Sequence, residues 1–154
     1  MVETGKKAPK FKMPTDTGET VTLDSFKGRK LVLYFYPKDD TSGCTKEAIA
    51  FSELLPAFEE AGIAVLGVSK DTVQKHAKFR EKHELTVPLA SDEEGETVEA
   101  YGVWVEKSMY GKTYMGIERA TFLIDEKGIV REIWHKVKVP GHAEVVLEAA
   151  TALG

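Results

Sequence analysis

Two runs that are apolar nearly throughout, residues 30–36 (KLVLYFY) and 63–69 (IAVLGVS), constrain this chain more than any other feature. Neither alternates in polarity, so each reads as a strand buried on both faces. Between them Cys44, Ala48, Phe51, Leu55 and Phe58 recur at spacings of four and three, the apolar stripe of one helix. Strand, helix, strand in that order is a parallel βαβ unit and implies an α/β fold with a central sheet flanked by helices. Pro37 stops the first strand. Pro56 lies inside the helical stripe and is expected to kink the helix or end it early. Ala61-Gly62 closes it.

The remaining segments are arranged around that unit. Residues 11–13 and 20–23 flank a turn signal at 15–19 and predict a small N-terminal β-hairpin. Asp71 is the expected N-cap of a second helix running to about Lys82. Residues 87–90 make a short strand candidate, with Pro88 arguing for a sheet edge or a strand end, and 97–101 a short helix. Residues 103–107 and 113–117 flank either a hairpin or an extended loop. The clearest hairpin joins 120–124 (ATFLI) to 129–134 across the turn 125–128. Residues 141–153 read as a closing amphipathic helix with Val145, Val146, Leu147 and Ala150 on its apolar side. There is no repeat and no linker, so 1–154 is expected to be a single domain.

Composition excludes several function classes. A net charge of −4 gives no electrostatic case for nucleic acid or an anionic membrane. No apolar run reaches transmembrane length, and no secretory core follows Met1. A single cysteine excludes an internal disulfide, and a reducing cytoplasm is the expected location.

That cysteine, Cys44, stands where the first strand's loop meets the helix start. The free N–H groups of a first turn and the helix dipole favour negative charge there, and thiolate is the reactive form of the side chain. Thr41 offers a hydroxyl to a thiolate or a bound oxygen, and Gly43 lets backbone come close to a ligand. The competing reading is a buried structural cysteine. Arg119 opens the strand 120–124. If that strand lies antiparallel beside 30–36, its beginning sits beside the other's end and Arg119 shares a sheet edge with Cys44. The alternative is a surface arginine pairing with Glu118 or Glu132. The histidine pairs His76/His83 and His135/His142 are each seven residues apart, too far for one metal on a helix, and read as solvated or packed. Gly111-Lys112-Thr113 lacks the upstream glycine of a phosphate loop. Lys136 and Lys138 read as a solvated strip.

The spacing Pro37-x-x-x-Thr41-x-x-Cys44 resembles the signature of peroxiredoxins. The segment 36–41 with Gly43-Cys44-Thr45 and Glu47 is similar to the bacterioferritin comigratory protein, or peroxiredoxin Q, subfamily. Later matches in the same order include 67–69, 109–112, 116–119 and 121–124. The resemblance implies a thioredoxin-like fold, with Pro37, Thr41, Cys44 and Arg119 as the active-site set and Cys44 as the peroxide-attacking thiol. It implies reduction of hydrogen peroxide and organic hydroperoxides through a sulfenic acid, without metal or organic cofactor. The expected partners are the hydroperoxide and a thiol reductant such as thioredoxin, glutaredoxin/glutathione or another thiol, with the chain a monomer. Three departures stand out. Ser42 replaces a proline found in many members, and the two positions that carry a second, resolving cysteine in others hold Ile49 and Arg80. Two rival readings remain: a redox-inactive thioredoxin-fold binding module, and a cysteine hydrolase, which would need His76 or His142 beside the thiol.

Overall fold

The computed structural model describes residues 2–153. A five-stranded sheet has strand β3 (Lys30–Phe35) at its centre. On one side β3 pairs in parallel with β4 (Ile63–Ser69), and β4 in parallel with the edge strand β5 (Leu89–Ser91). On the other side β3 pairs antiparallel with β8 (Ala120–Ile124), and β8 with β9 (Val130–Trp134). The N-terminal hairpin forms from β1 (Lys12–Pro14) and β2 (Thr20–Thr22), followed by a 3-10 turn at Leu23–Phe26.

The central strand is apolar throughout because both of its faces are covered. Leu31, Leu33 and Phe35 enter one buried cluster, and Val32, Tyr34 and Tyr36 enter the other. The second cluster holds Cys44 and the inner faces of helices α1 (Ser42–Glu60), α2 (Val73–His83) and α4 (His142–Ala152). The segment that sequence leaves open is a hairpin, β6 (Trp104–Met109) with β7 (Lys112–Ile117). Its two turn residues, Tyr110 and Gly111, both have positive φ (51° and 78°), as a type I′ turn requires. A short helix α3 (Glu96–Ala100) precedes it.

Three expectations are corrected. Of the two outcomes expected at Pro56, a kink or an early end, the second does not occur: α1 continues four residues beyond it to Glu60. A proline has no N–H for the carbonyl four residues earlier. That carbonyl, of Ser52, instead accepts from the Thr86 hydroxyl at 3.2 Å, and the Ser52 hydroxyl accepts from the N–H groups of Thr86 and Val87. The N-cap of α2 is Thr72, which accepts from the Lys75 N–H at 3.1 Å, because the Asp71 carboxylate is drawn away to the Asp39 N–H and the Ser69 hydroxyl. Val145 is 51% exposed; the buried positions of α4 are His142, Ala143, Val146 and Ala150.

One close approach shapes the cluster around the cysteine. The Tyr34 ring lies over Gly67 of the neighbouring strand, where a Cβ would meet it at 2.7 Å, and stacks on Phe51 of α1 at 4.5 Å between centroids. Glycine is required there for space, not for an unusual φ.

Candidate active site

The β3–β8 register assembles the site. It pairs Phe35, the last residue of β3, with Ala120, the first of β8. The loop leaving β3 therefore starts beside Arg119, as sequence reasoning required. Tyr36 still bonds Val68 through its N–H, and then Pro37 takes the chain out of the sheet. Thr41 becomes the N-cap of α1, its carbonyl accepting from the Thr45 N–H at 2.8 Å. The helix begins at Ser42, so Cys44 sits inside its first turn, 1% exposed.

Arg119 divides its guanidinium. Nη2 donates to Cys44 Sγ at 3.3 Å, and Nη1 donates to Glu47 Oε1 at 2.7 Å. The bland partners, Glu118 and Glu132, are not used. Glu118 pairs with His135 instead. Gly43 makes room for this arrangement, since a Cβ there would stand 3.1 Å from Nη2. Its space is thus occupied by Arg119 rather than reserved for a ligand. Thr41 is brought to the site, but its hydroxyl donates to the Lys38 carbonyl at 2.9 Å and not to the sulfur. Pro37 walls a cleft between this loop and the β6–β7 hairpin.

Glu47 is the residue that sequence reasoning missed as a member of the site. Its signal was present: a charged side chain on the buried face of α1, three residues after the cysteine, within an otherwise apolar stripe. Burial pushes its carboxyl up from an ordinary 4.5 to about 7, against the opposing pull of Arg119. Its second oxygen, Oε2, and the Tyr34 hydroxyl have no hydrogen-bond partner among the described residues. Burial also raises the Tyr34 phenol well above its ordinary value, with Glu47 and Cys44 adding to the effect, so Tyr34 is neutral.

Glu47 carries a pH prediction. Between 4.5 and about 7 the unfolded chain is ionised at this position while the folded chain holds the proton. Folding then takes up a proton, so the contribution is complete below 4.5 and stability falls as pH rises through that window. Each unit of separation is worth about 1.4 kcal/mol. Urea unfolding of Glu47→Gln at a series of pH values should give a flatter profile across the same window. Slopes identical to the unaltered protein would show that Glu47 titrates as an ordinary carboxyl.

A second buried network holds the loop that carries Thr41. Asp39 Oδ1 accepts from the Tyr36 hydroxyl at 2.5 Å, and Oδ2 is hydrogen-bonded to His76 Nδ1 at 2.6 Å. His76 Nε2 donates to the Ala90 carbonyl at 2.9 Å. The Asp39 N–H donates to Asp71 Oδ2 at 2.8 Å. Asp39, Asp71 and His76 converge closely enough to suggest a metal site. However, their ligating atoms are already engaged with one another, Tyr36, Ser69 and Ala90. The cluster is a latch between loop and scaffold. Asp40, at a φ of 60°, adds an outer tie to Lys82 and His83 of α2. His142 is also packed: Nε2 lies 2.8 Å from the Thr121 hydroxyl, and burial, then the charge of Arg119, depresses it to about 4. Neither His76 nor His142 makes a hydrogen bond to the thiol, so the pairing a cysteine hydrolase needs is missing.

The chain as a whole is similar to known proteins. Residues 4–133 match the profile of the AhpC/TSA family. The putative peroxiredoxin bcp of Coxiella burnetii is 54% identical over 146 residues, covering 94% of this chain and 97% of that protein. Peroxiredoxin Bcp of Bacillus subtilis is 48% identical over 147 residues, with 96% and 94% covered. Among solved structures, a cysteine-to-serine mutant of Xylella fastidiosa PrxQ superposes with a TM-score of 0.94 at 40% identity, covering 99% of this chain and 97% of its own. The bacterioferritin comigratory protein of Xanthomonas campestris, whose structures address alkyl peroxide reduction, superposes with a TM-score of 0.90 at 42% identity, with 97% and 98% covered. No helix among the described residues is long and apolar enough to cross a membrane. The fold is thioredoxin-like, and the chain belongs to the AhpC/TSA family as a peroxiredoxin of the Bcp/PrxQ group, a thiol-dependent peroxidase.

Proposed function

We propose that Cys44 reduces hydrogen peroxide and organic hydroperoxides and that an external thiol restores it, with Arg119, Thr41 and Pro37 completing the site. The forked contact of Arg119 is the observation that carries this reading: a permanent cation 3.3 Å from the sulfur suits negative charge on the nucleophile and on the oxygen that leaves. The sulfur attacks the near oxygen of ROOH, the O–O bond breaks, and RO⁻ departs to take a proton as ROH. The first-turn N–H groups of α1, which receive no side-chain cap, are free to hold the peroxide. The Thr41 hydroxyl donates its hydrogen bond to the Lys38 carbonyl, leaving its oxygen to accept from the substrate's O–H and set it in line. Pro37 supports this without offering an N–H of its own.

Recycling must come from outside. Ile49 is half-buried on α1, and Arg80 is committed to Asp16 at 2.8 Å and to the Leu85 carbonyl at 3.0 Å. Neither position can supply a second sulfur, so a sulfenic acid on Cys44 should persist until a thiol arrives or more peroxide oxidises it. One equivalent of hydrogen peroxide should add one oxygen to the intact mass and create a dimedone-reactive group, at a rate orders of magnitude above that of a free cysteine. Excess should add two or three oxygens, and glutathione should give a mixed adduct or restore the thiol. A rate no faster than free cysteine would return Cys44 to a structural role. Quantitative dimer formation through Cys44 without a trappable sulfenate would defeat the recycling scheme.

A further inference from the structure

A cleft of about 330 Å³ lies between the loop after β3 and the β6–β7 hairpin, close enough to the thiol that Cys44 and Arg119 both act on Lys107 in its wall. Its lining includes Lys38, Lys70, Lys107, Trp104, Tyr114 and Met115. We propose that this cleft docks the recycling reductant and that it takes a small acidic thiol of the glutathione kind, whose carboxylates meet the lysines. The proposal rests on the peroxidase reading above and names the partner of the same site.

Charge complementarity carries it. The chain is net negative at −4, yet three lysines line one cleft, and the charge of Arg119 is felt by one of them, Lys107. None of the three is in an ion pair among the described residues. Lys70 Nζ is held 4.2 Å from the centroid of the Trp104 ring, which fixes a cation at the wall. Lys107 is half-buried, and burial, then the charge of Arg119, lowers its ammonium from its ordinary value. The nearby acid, Glu118, is occupied by His135. Tyr114 and Met115, 45% and 48% exposed, give an apolar rim suited to the body of a peptide. Hydrogen peroxide and uncharged organic hydroperoxides have no use for the lysines of such a surface. Because Cys44 is itself enclosed, the docked thiol reaches it when the loop that Pro37 and Lys38 contribute to the cleft wall opens at the start of α1.

The chemistry balances. The thiol sulfur bonds to the sulfenic sulfur, the S–O bond breaks, and the hydroxyl leaves with the thiol's proton as water. A second molecule of the same thiol attacks the outer sulfur of that mixed disulfide, releasing Cys44 and a small disulfide. Two thiols are oxidised, and the sulfenic acid gains two electrons.

The test uses the sulfenate formed by one equivalent of hydrogen peroxide. Its decay is followed with glutathione, neutral 2-mercaptoethanol and cationic cysteamine, each rate corrected for thiolate fraction. Glutathione should exceed 2-mercaptoethanol by about tenfold, and cysteamine should be slowest. The advantage should shrink several-fold in the doubly substituted Lys70→Gln/Lys107→Gln protein and, independently of any folding defect, in the unaltered protein at high salt. S-methylglutathione, which cannot react, should shift the Trp104 indole resonance of the reduced protein saturably, a readout that survives even if no sulfenate forms. Equal corrected rates, an advantage indifferent to salt, or no saturable shift would overturn the proposal. So would a lysine-dependent preference for a carboxylated hydroperoxide in the oxidation step without any for glutathione, which would assign the cleft to substrate. Failure of Cys44 to react with peroxide would instead defeat the peroxidase reading alone.

Discussion

Replacing Arg119 with methionine should slow oxidation of Cys44 by hydrogen peroxide by about a hundredfold or more. Deleting one well-placed donor at a developing oxyanion commonly costs about 2.7–4 kcal/mol of barrier, and among the described residues Arg119 is the one side chain that hydrogen-bonds this sulfur. Stability should fall as well, since Glu47 then loses its partner while 1% exposed. The loss is limited because a carboxyl already raised to about 7 can take up a proton and become neutral. Adding Glu47→Gln to Arg119→Met should therefore recover stability and leave the rate low. Stopped-flow oxidation and urea unfolding of the single and double variants check both halves. A rate within threefold of the unaltered protein would make Arg119 a structural partner of Glu47 only.

The second large effect is expected at the latch. His76→Leu strands Asp39, 2% exposed, with the Tyr36 hydroxyl and without the imidazole. Breaking a buried pair by removing one partner typically costs about 3–5 kcal/mol. The loop bearing Lys38 and Thr41 would also lose its inner anchor, so peroxide oxidation should slow even where the protein remains folded. Asp39→Leu combined with His76→Leu removes both buried polar partners and should recover part of the stability but not the rate. A change below about 1 kcal/mol for His76→Leu would mean that the pair contributes nothing net.

Much of this was legible from periodicity. The unbroken apolar runs gave β3 and β4 their buried places, and the β8–β9 hairpin brought an antiparallel neighbour to β3. The place of Arg119 depended on one supposition, that 120–124 lies antiparallel beside 30–36, because an antiparallel strand begins where its neighbour ends; the pairing of Phe35 with Ala120 meets it. What escaped the sequence depends on partners far away along the chain. Asp39 and His76 are 37 residues apart and meet only once α2 has packed. Asp71 looked like a cap by its local context, but the N–H of Asp39, 32 residues earlier, competes for its carboxylate and Thr72 caps instead. Pro56 is tolerated in α1 because Thr86, 34 residues after Ser52, satisfies the freed carbonyl. At Asp71 and Pro56 a local rule is overruled by a tertiary hydrogen bond.

The crossing of Tyr34 over Gly67 has an evolutionary consequence. The two positions hold one shared volume across neighbouring strands, so neither can drift alone. A side chain larger than hydrogen at 67 requires a smaller one at 34, and that in turn leaves Phe51 without the ring on which it stacks. In a lineage descending from this chain, substitutions at 34 and 67 should therefore arrive as correlated pairs. The shape of the cluster around Cys44 would then be inherited partly through a glycine on the next strand.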